Sequence, residues 1–126
     1  MATNNYKIVI AEDEPFLAGM YASKLENSGF TVLRAPDGEL ALKVIKEQNP
    51  DIVLLDVMMP KIDGFDVLKS IRQDQNTARI PVLLLTNLDN RSDIEKGMRL
   101  GANDYIVKSN YTPTQVVNKI KQYLTK

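Results

Sequence analysis

The 126-residue sequence contains no cysteine, no histidine and no tryptophan, and its 16 basic side chains equal its 16 acidic ones. Each absence removes a class of chemistry. Without Cys there is no disulfide and no thiolate nucleophile, and without His there is no imidazole base; lacking both, the chain has no ordinary zinc or haem site. Zero net charge, with no long run of Lys or Arg, gives no nucleic-acid footprint and no polybasic membrane anchor. No apolar run reaches the roughly 18 residues of a membrane span. The start, Met1-Ala2-Thr3-Asn4-Asn5, is polar and leads straight into a strand pattern, unlike a signal peptide. The expectation is a cytoplasmic protein with no membrane segment and no direct nucleic-acid binding. Any chemistry must run on carboxylates, hydroxyls, lysine and backbone.

What is present is enough for a core, since 44% of the residues are hydrophobic at a length that suits one domain. Short apolar runs at Tyr6 to Ala11, Thr31 to Ala35, Ile52 to Leu55, Val82 to Leu85 and Tyr105 to Val107 alternate with stretches of helical period. Those stripes are Leu17, Met20, Tyr21 and Leu25; Leu40, Ala41, Val44 and Ile45; Phe65, Leu68 and Ile71; Ile94 and Met98; and Val116, Val117, Ile120 and Leu124. Pro15, Asp37-Gly38, Asp63-Gly64 and Thr112-Pro113 read as helix entries, and Gly29 and Gly101 as stops. No linker, repeat or low-complexity tract interrupts the pattern, so residues 1–126 read as one domain. Continuous apolar strands alternating with helices predict an α/β fold, a doubly wound parallel sheet of five strands with helices on both faces.

In such sheets ligands sit beyond the carboxyl ends of the strands. Strand one ends into Glu12-Asp13-Glu14, strand three into Asp56, strand four into Thr86 and strand five into Lys108. Each has a bland explanation: a helix cap for Asp13 or Glu14, a turn acid for Asp56, a β-branched strand residue for Thr86, an edge-blocking charge for Lys108. Together they form a coherent set, because strands about 4.8 Å apart let Asp13 and Asp56 converge on one cation if strands one and three are neighbours. Carboxylates without imidazole or thiolate select a hard ion, and Mg²⁺ suits them better than Ca²⁺, for which no loop of oxygens is visible. With Lys108 and Thr86 facing the same point, the set reads as a phosphoryl-acceptor site with an aspartate nucleophile.

The segments Ile8 to Asp13 (IVIAED), Ala35 to Glu39 (APDGE), Asp51 to Gly64 (DIVLLDVMMPKIDG), Ile80 to Thr86 (IPVLLLT) and Gly101 to Lys108 (GANDYIVK) stand in an order and spacing that are highly specific. In them the chain resembles the receiver domain of two-component response regulators over nearly its whole length. The resemblance implies a flavodoxin-like fold with strand order 2-1-3-4-5. It implies phosphorylation of Asp56, with Mg²⁺ held by Glu12, Asp13, Asp56 and the backbone carbonyl of Met58. The phosphoryl group would meet Lys108, Thr86 and the backbone amide of Asn87. Thr86 and Tyr105 would act as the switch pair, Tyr105 turning inward when Thr86 moves; the plain alternative for Tyr105 is an amphipathic ring at the sheet edge. Met58 and Leu88 would form the rim.

Three departures stand out: Ser109 follows the lysine where Pro is usual, Asn87 follows the threonine where Ala or Gly is common, and both rim positions are apolar. A trans Lys108-Ser109 bond in a rebuilt loop is expected, with Thr112 capping helix five. The phosphodonor must be another molecule, a histidine kinase or histidine phosphotransfer protein, because the chain has no His. The face of helix four, strand five and helix five is the expected surface for an unknown downstream partner, making the protein a signalling switch and not a turnover enzyme. Two alternatives are an Asp-nucleophile metal-dependent phosphohydrolase and a flavodoxin-like cofactor binder. The first usually places a second Asp two residues after the nucleophile, where Met58 stands; the second needs a Ser, Thr and Gly phosphate loop in place of the acidic one after strand one.

Overall fold

The computed structural model describes residues 6–124. Strands and helices alternate as β1 (Lys7–Ala11), α1 (Pro15–Asn27), β2 (Thr31–Ala35), α2 (Gly38–Gln48), β3 (Ile52–Asp56), α3 (Gly64–Gln73), β4 (Val82–Thr86), α4 (Arg91–Arg99), β5 (Asp104–Val107) and α5 (Pro113–Leu124). All strand pairs are parallel, in the order β2-β1-β3-β4-β5 expected from the resemblance. Alternate strand residues feed two cores. Ile8, Ile10, Leu54, Leu83 and Leu85 pack with Tyr21, Leu25, Val116 and Ile120 of α1 and α5. Val9, Val53, Leu55 and Leu84 pack with Ala41, Ile45, Leu68 and Ile71 of α2 and α3.

Burial on both faces holds for the central strands, where β3 and β4 are buried at every position. It fails at the edge: in β2, Thr31 and Arg34 are exposed and only Ala35 is buried. The expected helix-four stripe also differs, since Met98 is 46% exposed and the buried residue of α4 is Gly97. A Cβ on Gly97 would lie 2.7 Å from Leu84 Cδ1 and 3.0 Å from Tyr105 Cδ2. The helix therefore meets the sheet through bare backbone and not through an apolar stripe. Among the described residues, no helix is long and apolar enough to cross a membrane.

Helix starts follow the capping chemistry of the sequence. Asp37 accepts from the Leu40 amide at 2.8 Å and Asp63 from the Asp66 amide at 3.0 Å. Thr112 and Gln115 form a reciprocal capping box at α5, with bonds of 3.2 and 2.8 Å. Helix α1 is the exception, because Glu14 occupies its cap position without a side-chain bond. Its acidic neighbours are thereby left for other work. After β5 the chain makes a short 3₁₀ turn, Lys108–Asn110, and no cis peptide bond occurs among the described residues, so Lys108-Ser109 is trans.

One glycine sets the position of the β3 end. Gly64 donates its amide to Val57 O at 2.8 Å, and a Cβ there would fall 2.3 Å from Asp56 O and 2.7 Å from Val57 Cα. Both are backbone atoms that no rotamer change can clear. Gly64→Ala should cost about 1–3 kcal/mol, the usual scale of overpacking, and appear as a lower urea midpoint with unchanged slope. A midpoint equal to wild type would show that the close approach is not needed.

Candidate functional site

Parallel pairing aligns the strand ends, because the registers Ala11↔Leu55, Asp56↔Leu85 and Thr86↔Val107 place the following polar residues side by side. Glu12, Asp13 and Asp56 each bring a carboxylate oxygen within 4.8 Å of the others. Glu12 and Asp56 are buried, whereas Asp13 is exposed. The Lys108 ammonium enters from the end of β5, 3.0 Å from Asp56 Oδ2 and 2.9 Å from Glu12 Oε1. Glu14 stands 3.6 Å from the same nitrogen. The acid read as a helix cap is thus an outlying member of the charge cluster.

The remaining carboxylate oxygens are held by backbone or left open. Asp56 Oδ1 accepts from the Met58 amide at 3.1 Å, and Glu12 Oε2 from the Glu14 amide at 3.1 Å. Glu12 Oε1 is buried and has no aligned hydrogen bond despite its ion pair with Lys108. Burial pushes the Glu12 carboxyl up to about 7; the Lys108 ammonium opposes this shift and the neighbouring Asp56 charge adds to it. Burial also raises Asp56 above the ordinary carboxylate range, against the pull of Lys108 and the Met58 amide. Burial works against charge on Lys108 as well, yet its close ion pairs with Glu12 and Asp56 hold it above the ordinary lysine value.

Fully ionised, Glu12, Asp13 and Asp56 carry three negative charges against one on Lys108. An all-oxygen donor set with an excess of negative charge fits a hard divalent cation. The bland readings of Asp13, Asp56 and Lys108 do not account for this convergence.

Thr86 is fully buried and its Oγ1 accepts from the Leu88 amide at 3.2 Å. Tyr105 is half-buried and donates its hydroxyl to Leu88 O at 2.7 Å. Burial, and then the charges of Asp93 and Asp89, raise its phenol to about 12, which keeps it a donor. The expected switch pair therefore meets at the backbone of one residue, Leu88, Thr86 holding its amide and Tyr105 its carbonyl. Of the rim residues, Met58 is 59% exposed and Leu88 half-buried; both line a cavity of about 610 Å³ that also reaches Asp13, Phe65 and Lys96. Asn87 is exposed. Lys96 carried no signal in the sequence, because α4 brings it to the rim from a distant turn.

Residues 8–121 match the family model described as the response regulator receiver domain. The chain is 40% identical over 120 residues to the alkaline phosphatase synthesis transcriptional regulatory protein PhoP of Bacillus subtilis (strain 168), an alignment covering 95% of this chain and 49% of that protein. It spans about half the length of the curated relatives it matches. Among solved structures, the receiver domain of the Francisella response regulator 1452 aligns with TM-score 0.86 and 31% identity, over 97% of this chain and 100% of that one. The BeF3-activated N-terminal receiver domain of Klebsiella pneumoniae RstA aligns with TM-score 0.85 and 32% identity, over 95% and 99%. Neither the phosphohydrolase nor the cofactor-binder alternative finds support in these matches. The geometry and the matches agree: this chain belongs to the response regulator receiver domain family, the signalling switches of two-component systems.

Proposed function

We propose that Asp56 accepts a phosphoryl group from a phosphohistidine on a separate histidine kinase or histidine phosphotransfer protein. The observation that carries this reading is the Lys108 ammonium, 3.0 Å from Asp56 Oδ2, inside a cluster of three convergent carboxylates. The Met58 amide fixes Oδ1 and the ammonium fixes Oδ2, so the acceptor is oriented before a donor arrives. Glu12, Asp13, Asp56 and the Met58 carbonyl would hold Mg²⁺, which when bound neutralises charge between the carboxylate and the phosphoryl oxygens. After transfer, Lys108 and the Asn87 amide balance the new oxygens. The RstA domain is activated by BeF3, a tetrahedral mimic of a phosphoryl group, which supports the same use of this site.

The switch follows from the shared residue, Leu88. Phosphorylation adds up to about two negative charges. If the Thr86 hydroxyl turns toward them it releases the Leu88 amide, and the Leu88 carbonyl is the acceptor that holds Tyr105. The face of α4, β5 and α5 then shifts between two arrangements that a downstream protein distinguishes. The chain promotes only its own phosphorylation and dephosphorylation. Its balanced charge supports no direct DNA contact by this domain, although the Bacillus relative is by name a transcriptional regulator.

Intact mass measured after incubation with acetyl phosphate and Mg²⁺ tests the proposal. Wild type should gain one phosphoryl group and Asp56→Asn none. Labelling that survives in Asp56→Asn would place the acceptor elsewhere.

The rim gives a second expectation, since hydrolysis needs a water in line with phosphorus and neither Met58 nor Leu88 can orient one. Decay of the phosphorylated form should be slow, and Met58→Asn should speed it by about threefold or more, about 0.7 kcal/mol of barrier. Equal decay in the two proteins would contradict the shielding role.

A further inference from the structure

A second cation shares the cavity beside the acceptor. Lys96 lines the same cavity of about 610 Å³ as Asp13, Met58 and Leu88, with its ammonium 4.6 Å from the centroid of the Phe65 ring. Among the described residues no carboxylate lies within ion-pair distance of it. The acids on its own helix are engaged elsewhere: Glu95 pairs with Arg91 at 3.2 Å, and Asp93 accepts from Asn90 Nδ2 at 2.6 Å. Exposed lysines are common, and a cation-π contact alone assigns nothing. Here the ammonium is in no ion pair and borders a cavity whose wall includes Asp13, Asp63 and the Met58 rim. An exposed cation-π contact is worth only about 0.5–1 kcal/mol, so an anion entering the cavity can compete for the ammonium.

We propose that Lys96 is a specificity-determining residue for the phosphodonor and favours acyl phosphates, whose leaving group departs as an anion. The inference rests on the reading of Asp56 as acceptor. With acetyl phosphate, an Asp56 carboxylate oxygen forms the new P–O bond while the P–O bond to the acyl group breaks. Acetate leaves with the electron pair as a carboxylate. With phosphoramidate the P–N bond breaks, and nitrogen already protonated by solvent leaves as neutral ammonia. A cation at the rim stabilises the entering acyl phosphate dianion and the departing carboxylate, and gives little to ammonia. Its reach is set by screening, with a Debye length of about 8 Å at physiological ionic strength. The preference should therefore weaken as salt rises.

The test compares wild type, Lys96→Gln and Lys96→Arg with both donors in saturating Mg²⁺, following phosphorylation by intact mass. Lys96→Gln should lower kcat/KM for acetyl phosphate about fivefold, mainly through KM, and leave phosphoramidate within about twofold. Lys96→Arg should restore the acetyl phosphate rate, and added NaCl should narrow the gap between wild type and Lys96→Gln. An equal loss with both donors would mean a structural role and overturn the proposal, as would no loss with either. If wild type is labelled by neither donor, the acceptor reading itself fails, and the role of Lys96 falls with it.

Discussion

Two buried carboxylates sharing the ammonium of one half-buried lysine are the constraint on which the rest of this molecule depends. Glu12 and Asp56 sit side by side because β1 and β3 are hydrogen-bonded neighbours, and Lys108 reaches them from β5, two strands beyond β3. Two unit charges about 4 Å apart repel by roughly 4 kcal/mol at an effective dielectric near 20. One lysine offsets part of that for both, and removing a single partner of a buried pair typically costs about 3–5 kcal/mol. The cluster is stable as a set and poorly neutralised as a set. That residual negative charge makes it a place for a cation and, once the cation is there, for a phosphoryl group.

The same geometry explains how a local charge change reaches a distant face. Thr86 lies at the end of β4, beside the acceptor strand, and its hydroxyl is tied to Leu88 N. Tyr105 lies on β5 and is tied to Leu88 O. Behind Tyr105, α4 approaches closely enough that Gly97 leaves no room for a methyl group. The β4–α4 connection, the aromatic ring and the helix are thus packed as one unit, and a packed unit of this kind has discrete arrangements, not a continuum.

Much of this was legible in the sequence, and the parts that were not share a physical reason. Central strands announce themselves as continuous apolar runs because both faces are covered, and their polar terminators, Glu12, Asp56, Thr86 and Lys108, fall together once the sheet is parallel. Capping chemistry located α2, α3 and α5 because each rule is local to three or four residues. Helix α4 defeated the periodicity argument because its contact is made by Gly97, a residue with no side chain to register in a hydrophobic pattern. Arg72 was equally silent. It donates to the carbonyls of Ala78, Ile80 and Gly101 and to the Asn103 side chain, and backbone acceptors leave no mark in a sequence. Glu14 was legible as an acid but not as a neighbour of Lys108, since only the uncapped start of α1 leaves it facing the cluster.

The defining property of the site is its charge imbalance, and thermal unfolding measured in EDTA and in millimolar Mg²⁺ tests it without reference to any donor. A cation that binds the native cluster and not the unfolded chain must raise the melting temperature, by several degrees at concentrations about 100-fold above Kd. The prediction is a clear upward shift for wild type that is lost in Asp13→Asn. In EDTA that variant, relieved of one repelling charge, should melt above wild type. Superimposable wild-type curves with and without Mg²⁺ would contradict the claim that this cluster is built around a missing positive charge.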